Sequence, residues 1–238
     1  MRTKTLILSA IVGALSSLSL MAQVYSLNAV GYINVTIPPG FSMIANQLNT
    51  TNNNLSPLLD SQFATGNYDG MEFYKFANGS GFAPTLIVDS YSAVLPYIPW
   101  DQAAATNTTL NPGEAVFVHS PYTTNLNITL VGTVLTGSLT NDYKVGFNMV
   151  SSQVPQAGRL DVDLGMPEVD GDQIYIFNNA TTSYEIFTGD QYSTSGQPWD
   201  TVSAGTNLNP TVSVAQGYWY KAQTGNGPNV WVRNFSVN

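Results

Sequence analysis

The sequence predicts an all-β protein made of two tandem homologous β-sandwich or β-barrel-like repeats of about 105 residues, packed closely together. Short runs of alternating apolar and polar residues are separated by turns rich in Gly, Pro and Asn, as in folds built from strands. Helical periodicity is not sustained over more than about ten residues after the N-terminal segment. A single β-domain with pseudo-twofold symmetry is the alternative. The link between the repeats is short and strand-like, which predicts close packing but does not distinguish the two arrangements.

The repeat rests on landmarks that occur twice in the same order. The motif GFSMI at residues 40–44 returns as GFNMV at 146–150, and PWD at 99–101 returns at 198–200. Three further segments agree in their apolar pattern: 70–76 with 171–177, 113–118 with 215–220, and 127–130 with 229–232. Because these landmarks keep their order, the sequence predicts one repeat over residues 23–134 and a second over 135–238.

Residues 1–22 resemble a secretory signal peptide. Arg2 and Lys4 precede an apolar run at residues 6–15, and the segment ends with Ala22, after which we expect cleavage. A membrane-spanning helix needs about 20 apolar residues, so this run is too short, and no second such run follows. A retained N-terminal helix is the alternative. The expected location is secreted, extracellular or at the cell surface, with the periplasm as the alternative and no membrane span after cleavage.

Charge and cysteine content exclude several classes of function. The chain has 7 basic and 15 acidic residues, and the expected signal peptide contains two of the basic ones. Without a basic patch, nucleic acid is not an expected partner. Charged residues make up 9% of the chain, against about 25% in typical globular proteins, so Asn, Thr, Ser and Gln must keep the surface polar. The absence of cysteine excludes disulfides, thiol catalysis and Cys-ligated metals.

The first strands follow from alternation and from proline. Residues 30–37 nearly alternate between apolar and polar, and Pro38 and Pro39 end the strand because proline donates no ladder hydrogen bond. The next strand carries the motif at residues 40–44. We expect Phe41, and Phe147 in the second repeat, to be core anchors.

Turn signals place the remaining elements of the first repeat. Ser56 and Pro57 indicate a single helical turn, with Ser56 as its N-cap. Residues 71–76 and 82–88, joined by the turn NGSG, predict a hairpin. Residues 115–118 and 127–131 supply two further strands.

Two Trp-Asp pairs are the predicted ligand-binding residues: Trp100 with Asp101, and Trp199 with Asp200. Aromatic faces beside polar groups can stack on sugar rings, which favours polysaccharide or cell-surface components as partners. The alternative is structural, with the tryptophans as buried anchors and the aspartates as turn residues that accept backbone N–H groups. Trp219 and Trp231 lie in alternating strand patterns and are predicted to be core residues.

Catalytic and metal sites have weaker signals. The single histidine, His119, lies at a strand end without a nucleophile motif, so triad hydrolysis is not expected. Glu168, Asp170 and Asp172 alternate around a glycine and form a candidate calcium site, although they do not fit an EF-hand loop and a polar turn is the alternative. No other cofactor is expected.

The motifs NAVGY at residues 28–32, GFSMIAN at 40–46, YKF at 74–76 and VRNF at 232–235 resemble a group of secreted bacterial proteins abundant in Verrucomicrobia and Planctomycetes. The resemblance implies export and a duplicated all-β chain but no activity. The expected function is therefore a non-catalytic extracellular or cell-surface protein, structural, adhesive or glycan-contacting. A secreted carbohydrate-active enzyme using a carboxylate pair and a self-assembling surface or filament subunit are the alternatives.

Overall fold

A computed structural model describes residues 29–93, 98–190, 199–201, 209–223 and 229–237. Within these ranges the regular structure is almost entirely β-strand, with one α-helix and one 3₁₀ helix, which confirms the all-β class. The expected signal peptide lies outside the described residues. Among the described helices, none has the length and apolar character needed to cross a membrane.

The elements are as follows: β1 Val30–Ile37, β2 Gly40–Ala45, α1 Leu55–Phe63, β3 Glu72–Tyr74, β4 Phe76–Ala77, β5 Gly81–Phe82, β6 Leu86–Ile87, a 3₁₀ helix at Ala103–Thr106, β7 Ala115–Ser120, β8 Leu126–Thr133, β9 Gly137–Asp142, β10 Gly146–Val150, β11 Gly158–Arg159, β12 Gln173–Asn178, β13 Ser183–Gly189, β14 Trp199–Thr201, β15 Thr211–Val212, β16 Tyr218–Ala222 and β17 Val230–Phe235.

Two large antiparallel sheets organise the described structure. The N sheet has the strand order β2-β7-β3-β6, and the C sheet has the order β10-β16-β12-β13-β14. The strands that carry matching sequence landmarks thus occupy matching positions in the two sheets. Smaller pairs, β1 with β8, β9 with β17, β4 with β5 and β11 with β15, complete the architecture, and none of the described sheets closes into a barrel. Descent of the halves from one repeated unit stays a prediction.

Each large sheet is covered on both faces. In β7, Val116 and Val118 face the core of the first half, whereas Ala115 and Phe117 face the C sheet. Alternate residues of a strand point to opposite faces, so a run buried at every position requires cover from two sides. The first half supplies one cover and the second half supplies the other.

The core of the first half lies between the N sheet, α1 and the β1–β8 pair. Leu55, Leu59 and Phe63 recur every fourth residue along α1 and are fully buried. This apolar face explains why the helix continues to Phe63 instead of ending after the single predicted turn. The helix also begins two residues earlier than predicted, and its N-cap is Asn54.

The core of the second half is rich in aromatic residues. Trp231 is buried with Tyr218 and Tyr220, and Tyr143 packs on Tyr220 with ring centroids 4.4 Å apart. The core positions predicted for Trp231 and Trp219 are confirmed, since both are buried.

The predicted hairpin in the first half is confirmed, in two pieces. Strand β3 pairs with β6, and β4 pairs with β5 at the turn. The prediction for Phe41 and Phe147 is wrong, because each ring is 40% exposed. Both follow a glycine at the first position of their strands, where the sheet ends, and the cover from the opposite half does not reach across them.

Substitution of Phe63 by Ala is expected to destabilise the protein by about 3–5 kcal/mol, the usual cost of truncating a buried Phe. Phe63 packs against Trp100 and Phe73, with ring centroids 5.2 and 5.7 Å away. Urea denaturation would measure the change. Tyr91→Ala is the control, because Tyr91 is an exposed aromatic residue whose truncation should change the unfolding free energy by less than about 0.5 kcal/mol. Equal effects of the two substitutions would contradict the assigned core.

Candidate functional site

The two halves meet at a dry interface between the N and C sheets. The side chains that face each other there are Met43, Ala45, Ala115 and Phe117 from the first half and Met149 and Trp219 from the second. Gly217 lies at the closest approach, because a Cβ atom at this position would stand 2.5 Å from Ala115 Cβ and 2.8 Å from Met43 Cγ. The interface therefore continues the hydrophobic core through the whole molecule.

Backbone hydrogen bonds cross this interface in matched pairs. The amide of Ala45 donates to the carbonyl of Ala215 over 2.8 Å, and the amide of Ser151 donates to the carbonyl of Gly113 over 2.8 Å. Gly113 and Ala215 both have positive φ angles, 89° and 57°. The two halves thus contact each other through equivalent positions.

Two asparagines latch the hairpins of one half onto the other half. Asn78 Nδ2 donates to the carbonyls of Val145 and Phe147 over 2.8 and 2.9 Å. Asn179 Nδ2 donates to the carbonyls of Pro39 and Phe41 in the same arrangement. Each latch brings the aromatic residues of its hairpin beside the exposed phenylalanine of the opposite half.

An open aromatic groove results beside Phe41. Both halves contribute to it, and its volume is about 350 Å³. It is lined by Phe41, Tyr74, Phe82, Phe117, Phe177, Thr182 and Tyr184. We call this surface the aromatic groove.

Ring contacts hold the walls of the groove. Phe177 packs edge-on against Phe117 at 5.0 Å and against Tyr184 at 5.3 Å. Phe82 and Tyr184, which follow the turns of the two hairpins, remain 54% and 37% exposed. Edge-to-face contacts of this kind fix the ring orientations, so the groove presents preformed aromatic surfaces to solvent.

The hydroxyl group of Tyr74 at the groove is held in its neutral form. Tyr74 Oη donates to Glu72 Oε2 over 2.5 Å. Burial raises the pKa of Tyr74 to about 12, and the hydrogen bond and negative charge of Glu72 add to the increase. Tyr184 Oη accepts a 3.3 Å hydrogen bond from Trp219 Nε1.

His119 lies at the end of β7, as predicted, but it is half-buried. Its ring packs on Phe41 with centroids 4.6 Å apart, and its Nδ1 lies 3.1 Å from Glu72 Oε2. At the matched position of the second half, Lys221 Nζ stands 5.5 Å above the ring of Phe147. Both residues flank an exposed phenylalanine.

The structure places the first predicted Trp-Asp pair in a structural setting. Trp100 is fully buried, and its Nε1 donates to Asp60 Oδ1 over 2.8 Å. Asp101 Oδ1 accepts the backbone amide of Ile87 over 2.8 Å, the turn role that the sequence analysis gave as the alternative.

The second pair has a similar setting as far as it is described. Trp199 is buried, and its backbone pairs with Gly189 at the edge of the C sheet. The side chain of Asp200 lies outside the described residues. Both indole rings are buried, so neither offers an accessible aromatic face to a ligand. Ligand binding by these four residues stays a prediction.

The candidate calcium residues do not converge on one point. Asp172 is buried and accepts hydrogen bonds from Tyr220 Oη and from the amide of Gln223. Burial raises the pKa of Asp172 and of Glu168, and the negative charge of Asp170 raises the latter further. Over the described ranges, no three acidic or histidine side chains form a metal-binding group. Calcium binding stays a prediction.

Comparison of this chain with family models, with curated proteins and with solved structures gives no significant match.

Removal of the asparagine latches is expected to destabilise the protein. Asn78→Ala or Asn179→Ala should each lower the unfolding free energy by about 1 kcal/mol, the net worth of a hydrogen-bonded side chain at a partly buried site. The double variant should lose about 2 kcal/mol because the two sites share no partners. Asn67→Ala is the control, since this exposed amide makes a local hydrogen bond to Thr65 Oγ1 within the first half. A double variant with the wild-type urea midpoint would show that the latches do not hold the halves.

Thr182→Gly is expected to stabilise the protein by up to about 1 kcal/mol. Thr182 has a φ of 50°, a left-handed conformation that is unfavourable for a β-branched residue. The turn of the matching hairpin has glycines at its own positive φ positions, Gly79 and Gly81. Thr181→Gly, at a position without positive φ, should instead destabilise by about 0.5–1 kcal/mol. Thermal denaturation of both variants would test this, and the same sign for both would refute it.

Proposed function

We propose that this protein is a secreted, non-catalytic protein that contacts glycans in the extracellular space or at the cell surface, through the aromatic groove. The open groove is the single observation that carries the proposal. The C–H faces of a sugar ring stack on aromatic rings, and Phe41, Phe82 and Tyr184 offer such rings to solvent.

The surroundings of the groove favour a neutral polar ligand. Thr182 lines the groove and adds an uncharged hydroxyl group beside the rings. The whole chain carries a net charge of −8, which disfavours polyanions such as nucleic acids and anionic membranes. A polysaccharide offers both the apolar faces and the hydroxyl groups that this combination matches.

We further propose that the two halves, residues 23–134 and 135–238, descend from one duplicated unit. The shared order of the landmark strands and the matched asparagine latches support this proposal. If the halves arose by duplication, the groove exists only where the two halves pack together, because neither half contains both of its walls.

The groove predicts which residues matter for binding. Phe41→Ala combined with Tyr184→Ala should weaken retention on a bound polysaccharide at least about tenfold, equivalent to about 1.4 kcal/mol. Phe147→Ala is the matched control, because Phe147 is equally exposed but does not line the groove. The measurement is affinity electrophoresis of the chain without residues 1–22 through a panel of soluble polysaccharides, with cell-wall material tested by sedimentation.

Three outcomes would contradict the proposal. The first is that no polysaccharide or cell-wall fraction retains the protein. The second is that the control variant loses as much affinity as the groove variant, and the third is that the protein cleaves a polysaccharide of the panel. Cleavage would instead support the carbohydrate-active alternative. Concentration-dependent retention in a gel without polysaccharide would identify self-association.

A further inference from the structure

A second cleft lies between the halves, outside the aromatic groove. Its volume is about 600 Å³, within the range of small-molecule sites. Lys75, Phe76, Thr109, Asn111, Glu114 and Asn148 are among its lining residues. We call it the Lys75 cleft.

A matched cleft of about 660 Å³ lies at the equivalent position of the other half. Strand pairing fixes the correspondence: Tyr74 pairs with Phe117 as Tyr175 pairs with Trp219, so the following residues, Lys75 and Ile176, are equivalent. Glu114 forms an isolated bridge with Val150, and Gln216 forms the matching bridge with Ile44. The two clefts have similar volumes, but the matched residues differ in charge.

The Lys75 cleft contains an ion pair. Lys75 Nζ donates to Glu114 Oε2 over 3.0 Å and to the carbonyl of Ala115 over 3.3 Å. Glu114 Oε2 also accepts the hydroxyl of Thr109 over 3.0 Å and the amide of Asn111 over 2.8 Å. The side chains of Lys75 and Glu114 are 17% and 36% exposed, so the pair is shielded but reaches the cleft.

At the two matched positions, the second half performs the same structural task without charge. Gln216 Oε1 accepts the amide of Ser213 over 2.8 Å, just as Glu114 accepts the amide of Asn111. Ile176 occupies the position of Lys75. The turn and the strand contact are thus formed by a neutral residue pair, and the fold does not require the charges.

The ion pair also brings the fold little net stability. Burial lowers the pKa of Lys75 in spite of Glu114, so keeping this ammonium charged is costly. Burial alone raises the pKa of Glu114, but the charge of Lys75 and the hydrogen bonds outweigh it and leave that pKa lowered. Partly desolvated pairs of this kind are seldom more stabilising than neutral residues of similar volume.

We propose that the Lys75 cleft binds a neutral ligand rich in hydroxyl groups, such as a saccharide ring, with Lys75 and Glu114 contacting adjacent hydroxyls. An ammonium group has three N–H donors, of which two bind Glu114 and Ala115. The described side-chain hydrogen bonds of Glu114 all end on Oε2, which leaves Oε1 as the acceptor for a ligand. A vicinal diol satisfies both, accepting from Lys75 and donating to Glu114.

The charge balance and the wall of the cleft select this class of ligand. The lining residues Lys75 and Lys144 are balanced by Glu114 and Asp142, so a fully ionic ligand gains no net attraction. Hydroxyl groups, in contrast, form charge-assisted hydrogen bonds with Lys75 and Glu114. Phe76, partly exposed, adds an aromatic surface beside the pair. The inference rests on the proposed function for the choice of a saccharide, but it concerns a different site.

The test converts the Lys75 cleft into its counterpart. Glu114→Gln and Lys75→Ile introduce the residues found at 216 and 176, so the double variant should keep the wild-type urea midpoint. Binding of a panel of neutral mono- to tetrasaccharides is measured by calorimetry and by backbone amide shifts in NMR spectra. The double variant and Glu114→Gln should bind at least tenfold more weakly, and the shifts at residues 75 and 114 should disappear.

The groove variant, with Phe41→Ala and Tyr184→Ala combined, separates this inference from the proposed function. If it loses polysaccharide retention while small saccharides still shift the signals of residues 75 and 114, both sites are supported. If the double variant binds as tightly as the wild type, or if no saccharide shifts these signals, the Lys75 site is refuted. The aromatic groove is then still tested separately by polysaccharide retention. Should the double variant fail to fold, Glu114→Gln alone decides, because it retains the acceptor for the amide of Asn111.

Discussion

Burial of both faces of the two large sheets is the constraint on which the rest of the structure depends. The strand residues Ala115 and Phe117 on one side and Met149 and Trp219 on the other would face water if the halves separated. Each half covers only the outer face of its own sheet. Because an exposed apolar sheet face is unfavourable, the two halves are expected to fold as one cooperative unit and not as independent domains.

The same constraint produces both candidate sites. Where the sheets face each other completely, side chains close the interface and Gly217 allows contact through the backbone. Where the strands begin, the opposite half supplies a hairpin instead of a sheet, and the rings around Phe41 are only partly covered. The latches of Asn78 and Asn179 hold these hairpins, so the shape of the groove depends on interactions between the halves.

Sequence patterns predicted the elements better than the sites. Alternation and turn residues gave the all-β class and the hairpin, because both depend on neighbours close in the chain. Phe41 was expected in the core because of its position in a strand, but alternation does not indicate where the cover from a distant segment ends. Trp100 looked like a ligand platform for the same reason, since its partner Asp60 lies 40 residues away and its burial depends on α1.

Differences between matched positions separate the demands of the fold from those of a site. Gly113 and Ala215 both adopt positive φ, so the backbone geometry is common to both halves even though the residues differ. The strand positions of Lys75 and Ile176 also match, yet the first half has a partly buried ammonium group there and the second half has an apolar side chain. An uncharged residue performs the structural task of Lys75 at the matched position of the same molecule. The charge of Lys75 therefore needs another explanation, and the adjacent open cleft supplies one.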